Sequence, residues 1–315
     1  MSFRYINPGY AELLTFRNAD TETVKNETYN KINGVSFTTS GDYNYFTLPE
    51  NNIEFYCLFN MFFPNKVSYN GLYYGVAVGS NYYSNRTGLI FYTLSASTSD
   101  LSIKMAYDNS VISVATIPNY NTAGIQNFWL HVRRKTTESI NTGLIELSID
   151  RGKTIISKEF DSSITLYQNL NFSLRTNFIS NIIISDEYIS PKEQIISLPI
   201  SATESDMTFD SETGIYTATA TNQSLLSAVN VNSLSAEYGS DSTVTGIALV
   251  GNPAYKTAEG LSSLTAFSKD NSANVVEYGT YALGSDSSGI ISGSQIFSDT
   301  KIADLQNLKF GWIAK

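Results

Sequence analysis

The sequence predicts an all-β protein made of two consecutive β-sandwich domains, and three observations predict it. Aromatic residues make up 13% of the 315-residue chain, with 21 Tyr and 17 Phe. Such side chains suit the pleated, half-buried surface of a sheet. Charged residues make up 16%, against roughly 25% in an average soluble protein. Ser, Thr and Asn fill the difference, and these suit turns and sheet surfaces better than helix faces. Finally, short runs alternating apolar with polar recur along the whole chain, the period of a strand with one wet face.

The runs come in close succession. Val35-Ser36-Phe37-Thr38 and Tyr43-Asn44-Tyr45-Phe46-Thr47-Leu48 lead into a long run over residues 53–63. Gly75-Val76-Ala77-Val78-Gly79, Gly88-Leu89-Ile90-Phe91-Tyr92 and Leu101-Ser102-Ile103-Lys104-Met105 follow. Phe128-Trp129-Leu130-His131-Val132, Leu144-Ile145-Glu146-Leu147-Ser148-Ile149 and Ile182-Ile183-Ile184 complete the first series. Turn residues separate them at short, even intervals, as in a sandwich or jelly roll. Helical periodicity is confined to residues 10–16 and a turn at 303–308.

The length exceeds one average domain, and a boundary is expected near residue 200. Pro191 and Pro199 punctuate that stretch, and beyond it Asn and aromatics thin out while Ser, Ala, Gly and Thr rise. The expected domains are 1–200 and 201–315. Strand runs of the second include residues 214–220, 244–250 and 263–267, and the chain closes on Leu308-Lys309-Phe310-Gly311-Trp312-Ile313-Ala314. Gly-Ser-Asp-Ser occurs at 239–242 and 284–287. Both copies read as β-turns, with help in holding calcium as the alternative.

The net charge of −9 repels phosphate backbones and anionic bilayers, so neither nucleic acid nor a membrane surface is an expected partner. No run approaches the roughly 20 apolar residues that span a bilayer. The first nine residues lack the basic start and apolar core of a secretory signal. A composition of extracellular type without such an address fits a protein assembled in a cytoplasm and released by lysis, as virion components are. The lone Cys57 lies in an apolar run and reads as a small buried hydrophobe, a reactive thiol being the alternative.

Few groups offer catalysis. His131 is the single histidine, and its place among Trp129, Leu130 and Val132 gives it a structural or surface role on a strand. Neither a Gly-x-Ser-x-Gly elbow nor a phosphate-binding loop occurs, and no cofactor or metal is expected. Glu146 and Asp150 lie four apart on a predicted strand, hence on one face, with Ile145, Leu147 and Ile149 on the other. That pattern reads as a solvated face; the alternative is a glycoside hydrolase, which needs two carboxylates roughly 5 to 9.5 Å apart. Asp206, Asp210 and Glu212 cluster without the spacing of a calcium loop and read as an acidic loop.

Aromatic density is the stronger signal. Tyr69, Tyr73, Tyr74, Tyr82, Tyr83 and Tyr92 crowd one stretch with Asn70, Asn81, Asn85 and Arg86. Flat rings stack on sugars while amides and guanidinium groups bond hydroxyls, and an aromatic body with a polar tip suits binding surfaces generally. Tyr82, Tyr83, Asn85 and Arg86 fall in a loop between glycines, where a rigid sandwich usually binds. They are the expected glycan-binding residues. Ordinary packing of the sheet is the alternative for all the tyrosines.

The order of elements over residues 30–190 resembles the concanavalin A-like (laminin-G-like) jelly roll. Asn33-Gly34-Val35-Ser36-Phe37 followed by Asp42-Tyr43-Asn44-Tyr45-Phe46 is similar to that family's opening strands. Phe128-Trp129-Leu130-His131-Val132, then a strand ending at Asp150-Arg151-Gly152, resembles its tryptophan strand and following turn. Residues 178–190 resemble its closing strand. The resemblance implies recognition of glycan or protein at loop rims, often without catalysis. Family hydrolases carry Glu-x-Asp-x-x-Glu on a strand, and the run from Glu146 to Asp150 departs from it. The closing residues, with Val244 to Val250 and Asp304 to Trp312, resemble C-terminal β domains of phage tail and virion-surface proteins.

The expected protein is therefore a non-enzymatic bacteriophage or phage-derived virion component, of tail fibre, head fibre or capsid decoration type. Its expected partners are other virion proteins and a host cell-surface glycan used in host attachment, and a homo-oligomer is expected, since virion parts repeat around symmetry axes. The alternatives are a carbohydrate-active enzyme and a purely architectural virion protein without a ligand.

Overall fold

The structure is a computed structural model, describing residues 4–7, 24–29, 32–37, 44–47, 54–62, 72–78, 88–93, 101–107, 110–117, 126–133, 142–161, 169–172, 178–196, 198, 200–250, 261–284, 292–296 and 300–315. It divides into two compact units, Met1–Ile195 and Ile196–Lys315. The helical run expected over residues 10–16 lies outside the described residues.

The first unit contains β1 (Arg4–Asn7), β2 (Val24–Tyr29), β3 (Ile32–Phe37), β4 (Asn44–Thr47), β5 (Glu54–Phe62), β6 (Leu72–Val78) and β7 (Gly88–Thr93). It continues with β8 (Leu101–Tyr107), β9 (Ser110–Ile117), β10 (Gln126–Arg133), β11 (Thr142–Ser148), β12 (Ile156–Asp161), β13 (Asn169–Phe172) and β14 (Phe178–Ser185). These form an eight-stranded sheet, β12-β11-β10-β5-β14-β3-β2 with β1 also on β14, and a six-stranded sheet, β4-β13-β6-β7-β8-β9. Every neighbouring pair is antiparallel. The chain changes sheet after β3, β4, β5, β9, β12 and β13, the criss-crossing connectivity of a jelly roll. The all-β expectation holds.

Alternation decides the inner face. Phe55, Cys57 and Phe59 of β5 are buried together with Phe128, Leu130 and Val132 of β10. Register makes them rows: Phe128 lies opposite Phe59, Leu130 opposite Cys57 and Val132 opposite Phe55. The Phe59 and Phe128 rings stack with centroids 5.4 Å apart. Ile145 and Leu147 of β11 and Ile184 of β14 extend the rows. Burying each such side chain contributes about 1.5–3 kcal/mol. The β14 register shifts between Ser180 and Ile183, where Asn181 takes φ 52°, a left-handed conformation that asparagine tolerates better than most residues.

The opposite face of this sheet is also covered. Trp129, Leu58 and Ile183 lie side by side across β10, β5 and β14 and are buried. The segment 186–195 supplies part of the cover. Ile189 is buried, and its carbonyl accepts a 2.6 Å hydrogen bond from the Trp129 indole. Pro191 is buried as well, seated over the turn that follows β11. In that turn Gly152 has φ 81°, and a Cβ there would stand 2.6 Å from the Pro191 Cγ. Glycine is required twice over, for the backbone conformation and for the space.

The second unit contains β15 (Ile200–Ser205), β16 (Thr208–Asp210), β17 (Ile215–Thr217), β18 (Ser224–Val229), α1 (Asn232–Tyr238), β19 (Thr243–Val244) and β20 (Ile247–Val250). Then come β21 (Ser263–Asp270), β22 (Val275–Ala282), β23 (Ser292–Ile296), β24 (Thr300–Lys301), α2 (Ile302–Leu305) and β25 (Leu308–Ala314). A five-stranded antiparallel sheet, β15-β18-β25-β21-β22, is accompanied by the two-stranded ladders β16-β17, β19-β24 and β20-β23. Its core joins Val231 and Leu234 at α1 to Ile302 and Leu305 of α2 and Phe310 of β25. The turn expected at 303–308 is there as α2 and the residues after it. At Gly311 a Cβ would stand 1.8 Å from the Leu225 carbonyl oxygen, so β25 meets β18 closely only because no side chain intervenes.

Candidate functional site

Tyr82, Tyr83, Asn85 and Arg86, the expected glycan-binding residues, lie outside the described residues, as do Tyr69, Asn70 and Asn81. Tyr73, Tyr74 and Tyr92 sit on β6 and β7, where Tyr73 pairs with Phe91 and Tyr92 with Leu72.

The other candidates can be placed. Asp150 is not on a strand with Glu146: β11 ends at Ser148, and the chain bends at 149–150. The Asp150 Oδ1 accepts hydrogen bonds from the Ser148 hydroxyl at 3.0 Å and the Thr154 amide at 2.9 Å. The Ser148 hydroxyl in turn accepts from the Gly152 amide at 2.8 Å. Burial raises the Asp150 carboxyl, but the bonds from Thr154 and Ser148 outweigh it and hold it below the usual carboxylate range. The carboxylate organises the turn, so the expected shared face with Glu146 is corrected. Strand geometry had been extended two residues too far.

The acidic loop of the second unit behaves likewise. Asp206 accepts from the Ser224 amide, and Asp210 accepts from the Glu212 amide at 2.9 Å and the Thr213 hydroxyl at 2.8 Å. Of the Gly-Ser-Asp-Ser pair, 239–242 forms a turn closed by the Ser242 amide on the Gly239 carbonyl, 3.2 Å; residues 285–287 lie outside the described residues. Cys57 is 0% exposed, and burial pushes its thiol well above the ordinary value. Enclosed on all sides, the sulfur packs as the small buried hydrophobe that the sequence predicts.

Glu146 instead joins a cluster that the sequence did not show. Antiparallel register places Glu146, His131 and Tyr56 in one row across β11, β10 and β5, with Glu54 two residues from Tyr56 on the same face. His131, only 6% exposed, lies between two carboxylates. Its Nδ1 is 2.8 Å from Glu146 Oε2 and its Nε2 2.6 Å from Glu54 Oε1. The ring thus links a carboxylate on either side and bridges three strands, β5, β10 and β11.

Aromatic rings enclose this bridge. Tyr56 stacks on the imidazole with centroids 4.3 Å apart and planes 9° from parallel. Its hydroxyl donates to Glu54 Oε1 at 3.0 Å. Burial first, then the bond to Glu54 and that carboxylate's charge, push the Tyr56 hydroxyl far above its ordinary value. Tyr188, from the covering segment, meets Tyr56 edge-on at 5.5 Å and is 63% exposed. The result is a partly open patch with Tyr188 outermost, Glu54 and Glu146 at half depth, and His131 beneath. The sequence places Glu146 on the polar face of its strand and gives His131 a structural or surface role, but singles out neither Glu54 nor Tyr56. That they meet required the register, and nothing in the sequence pointed to Tyr188.

Among the described residues no group of three or more His, Cys, Asp or Glu is arranged to hold a metal ion. The cluster can bind through ring faces and carboxylate oxygens. Its acid–base groups are engaged with one another, which leaves the His131 nitrogens no free side from which to act on a substrate.

No protein-family model and no curated protein matches the chain. Among solved structures it is similar to basic winged bean lectin with Tn-antigen, at 14% identity and a TM-score of 0.29, covering 59% of this chain and 98% of the lectin. It is similar also to the CBM2 module of the evolved Dit of Lactobacillus casei BL23 phage J-1, at 14% identity and a TM-score of 0.30, covering 59% and 92%. The binding domain of botulinum neurotoxin DC, in complex with rat synaptotagmin II, has 13% identity and a TM-score of 0.37, covering 89% and 78%. Likenesses at these TM-scores assign neither a family nor a ligand.

Proposed function

We propose that the chain is a non-enzymatic binding protein of a bacteriophage virion surface, of tail fibre, head fibre or decoration type. In this reading the first unit is a lectin-like module that engages a host glycan through exposed aromatic side chains, and the protein assembles as a homo-oligomer with other virion proteins. The observation that carries the binding reading is the patch around Tyr188. The exposed Tyr188 ring meets the Tyr56–His131 stack edge-on beside two partly exposed carboxylates, a combination of ring faces and acceptors that suits sugar hydroxyls. The segment with Tyr82, Tyr83, Asn85 and Arg86, read from the sequence as a loop, would add a second set of rings and donors. The phage setting rests on the composition and on the resemblance of the closing residues.

The test is a glycan array with the full chain, beside Tyr188→Ala and the double variant Tyr82→Ala with Tyr83→Ala. Binding to a defined glycan, weakened about tenfold or more in one of the variants, is the expected result and locates the site. A chain that binds nothing on the array would instead be architectural. Release of sugar from a polysaccharide, lost in Glu146→Gln, would make the protein a hydrolase and overturn the reading.

A further inference from the structure

Among the described residues the hairpin β16–β17 pairs with no other strand of the second unit, and it is open on both faces. Phe209 lies opposite Tyr216 and Asp210 opposite Ile215, so the two rings share one face and Ile215 takes the other. Phe209 is 51% and Ile215 44% exposed, and the rings lie with centroids 4.6 Å apart. Large apolar side chains gathered in this way, rather than scattered singly, mark an interaction surface.

A lone two-stranded hairpin is marginal in water, yet this one is tied at both ends. At its base the Gln223 side chain donates to the Asp206 carbonyl at 2.9 Å and accepts from the Thr219 and Ala220 amides at 2.6 and 2.9 Å. At its tip the Asp210 carboxylate fixes the Glu212 amide and the Thr213 hydroxyl, and Gly214 takes φ 72°. A surface held in shape beforehand loses less freedom on binding.

The charge of the hairpin is uncompensated. No Lys or Arg occurs between Lys192 and Lys256. Elsewhere in this unit Glu204, Asp241 and Glu277 hold Lys309, Lys301 and Lys315. Among the described residues no cation pairs with Asp206, Asp210 or Glu212. We propose that this hairpin docks a basic segment of a partner protein, one bearing arginine beside apolar side chains. A guanidinium plane suits ring faces and carboxylates alike, and the apolar neighbours cover Phe209 and Ile215. The proposal goes beyond the reading above, because it concerns the second unit and is independent of any glycan.

The probe is a short fluorescein-labelled peptide alternating arginine with leucine, titrated with the full chain and followed by anisotropy. The expected dissociation constant is below about 0.1 mM, raised about tenfold or more in Phe209→Ser and in Glu212→Lys. Both side chains are exposed, so the thermal transitions should stay in place. Glu212→Lys also leaves the ring pair intact, which guards against a hairpin disturbed by Phe209→Ser. Glu237→Lys, at an exposed site on α1, changes the net charge by the same amount and should leave the affinity unchanged. That control separates docking on the hairpin from general attraction to an acidic chain. Absence of binding, equal weakening by Glu237→Lys and Glu212→Lys, or equal binding of a peptide with glutamate in place of arginine would each overturn the proposal. So would binding to the glycan array that Phe209→Ser removes, which would make the hairpin a sugar site. The array variants at Tyr188, Tyr82 and Tyr83 leave the second unit untouched, so the two proposals can fail separately.

Discussion

In the first unit the central strands β5 and β10 present Phe55, Phe59, Phe128, Leu130 and Val132 to one side and Leu58 and Trp129 to the other, all buried. In the second unit an inner strand of the five-stranded sheet, β21, buries Thr265, Ala266, Phe267 and Ser268 in a row, and Thr265 meets Thr280 through a 2.7 Å hydroxyl pair. One sheet is built mainly of large apolar side chains, with buried His131 bridging two carboxylates and Ser148, Ser180 and Ser185 buried beside it. The other uses small and hydroxyl-bearing residues, closed by turns on Asp206, Asp210 and Asp270. The difference follows the composition shift near residue 200. It teaches where each unit is vulnerable: the first to lost volume, the second to added volume and altered backbone.

The largest expected effect tests the first half of that contrast. Phe55→Ala should cost about 3–5 kcal/mol in the first unit, the transfer loss plus the cavity left behind. Trp129 and Trp312, the two tryptophans of the chain, report one unit each. Urea unfolding followed in Trp312→Phe and Trp129→Phe backgrounds should show the loss through Trp129 only. A matching drop in the Trp312 signal would mean the units do not melt independently, and the contrast would lose its basis.

Next comes the reverse lesion. Gly311→Ala places a methyl against the Leu225 carbonyl, so β18 and β25 must part, at a cost near the upper end of the roughly 1–3 kcal/mol for overpacking. The Trp312 transition should fall while that of Trp129 stays.

A smaller effect sharpens the role of the turn after β11. The Asp150 carboxyl lies lower in the folded chain than in the unfolded one. Its contribution is therefore present above the unfolded value of about 3.9 and fades as pH falls through the lower, folded value. Asp150→Asn should flatten the acid limb of the Trp129 stability curve below about pH 4. An unchanged limb would show that other carboxylates govern acid unfolding.

Smallest is a gain in the second unit. Ala273 has φ 65° in the turn between β21 and β22, where the Asp270 side chain accepts from the Ser272 and Asn274 amides at 2.9 and 2.8 Å. Ala273→Gly relieves the left-handed strain and should add somewhat less than about 1 kcal/mol, since glycine loses more entropy on folding.

Much of the fold was legible because strand alternation is local. Phe128-Trp129-Leu130-His131-Val132 and the apolar run around Cys57 both read as strands, with Cys57 buried. The site was less legible because it is a product of register. Glu54 and His131 are 77 residues apart, and the pairing that unites them depends on which residues face each other across β5 and β10. Asp150 was misplaced because alternation says nothing of where a strand stops. The covering role of segment 186–195 was hidden too, since Ile189 and Pro191 form no periodic pattern.

The solitary thiol has a use beyond packing. Cys57 is held between Leu130 and Ile184 and cannot meet a reagent while the first unit is closed. Each chain thus carries one chemical clock. A thiol-specific label should enter only as often as the strands around β5 separate, so its uptake in the native state counts openings of that unit alone. Such counting needs no residue to be engineered into the chain and leaves the second unit silent.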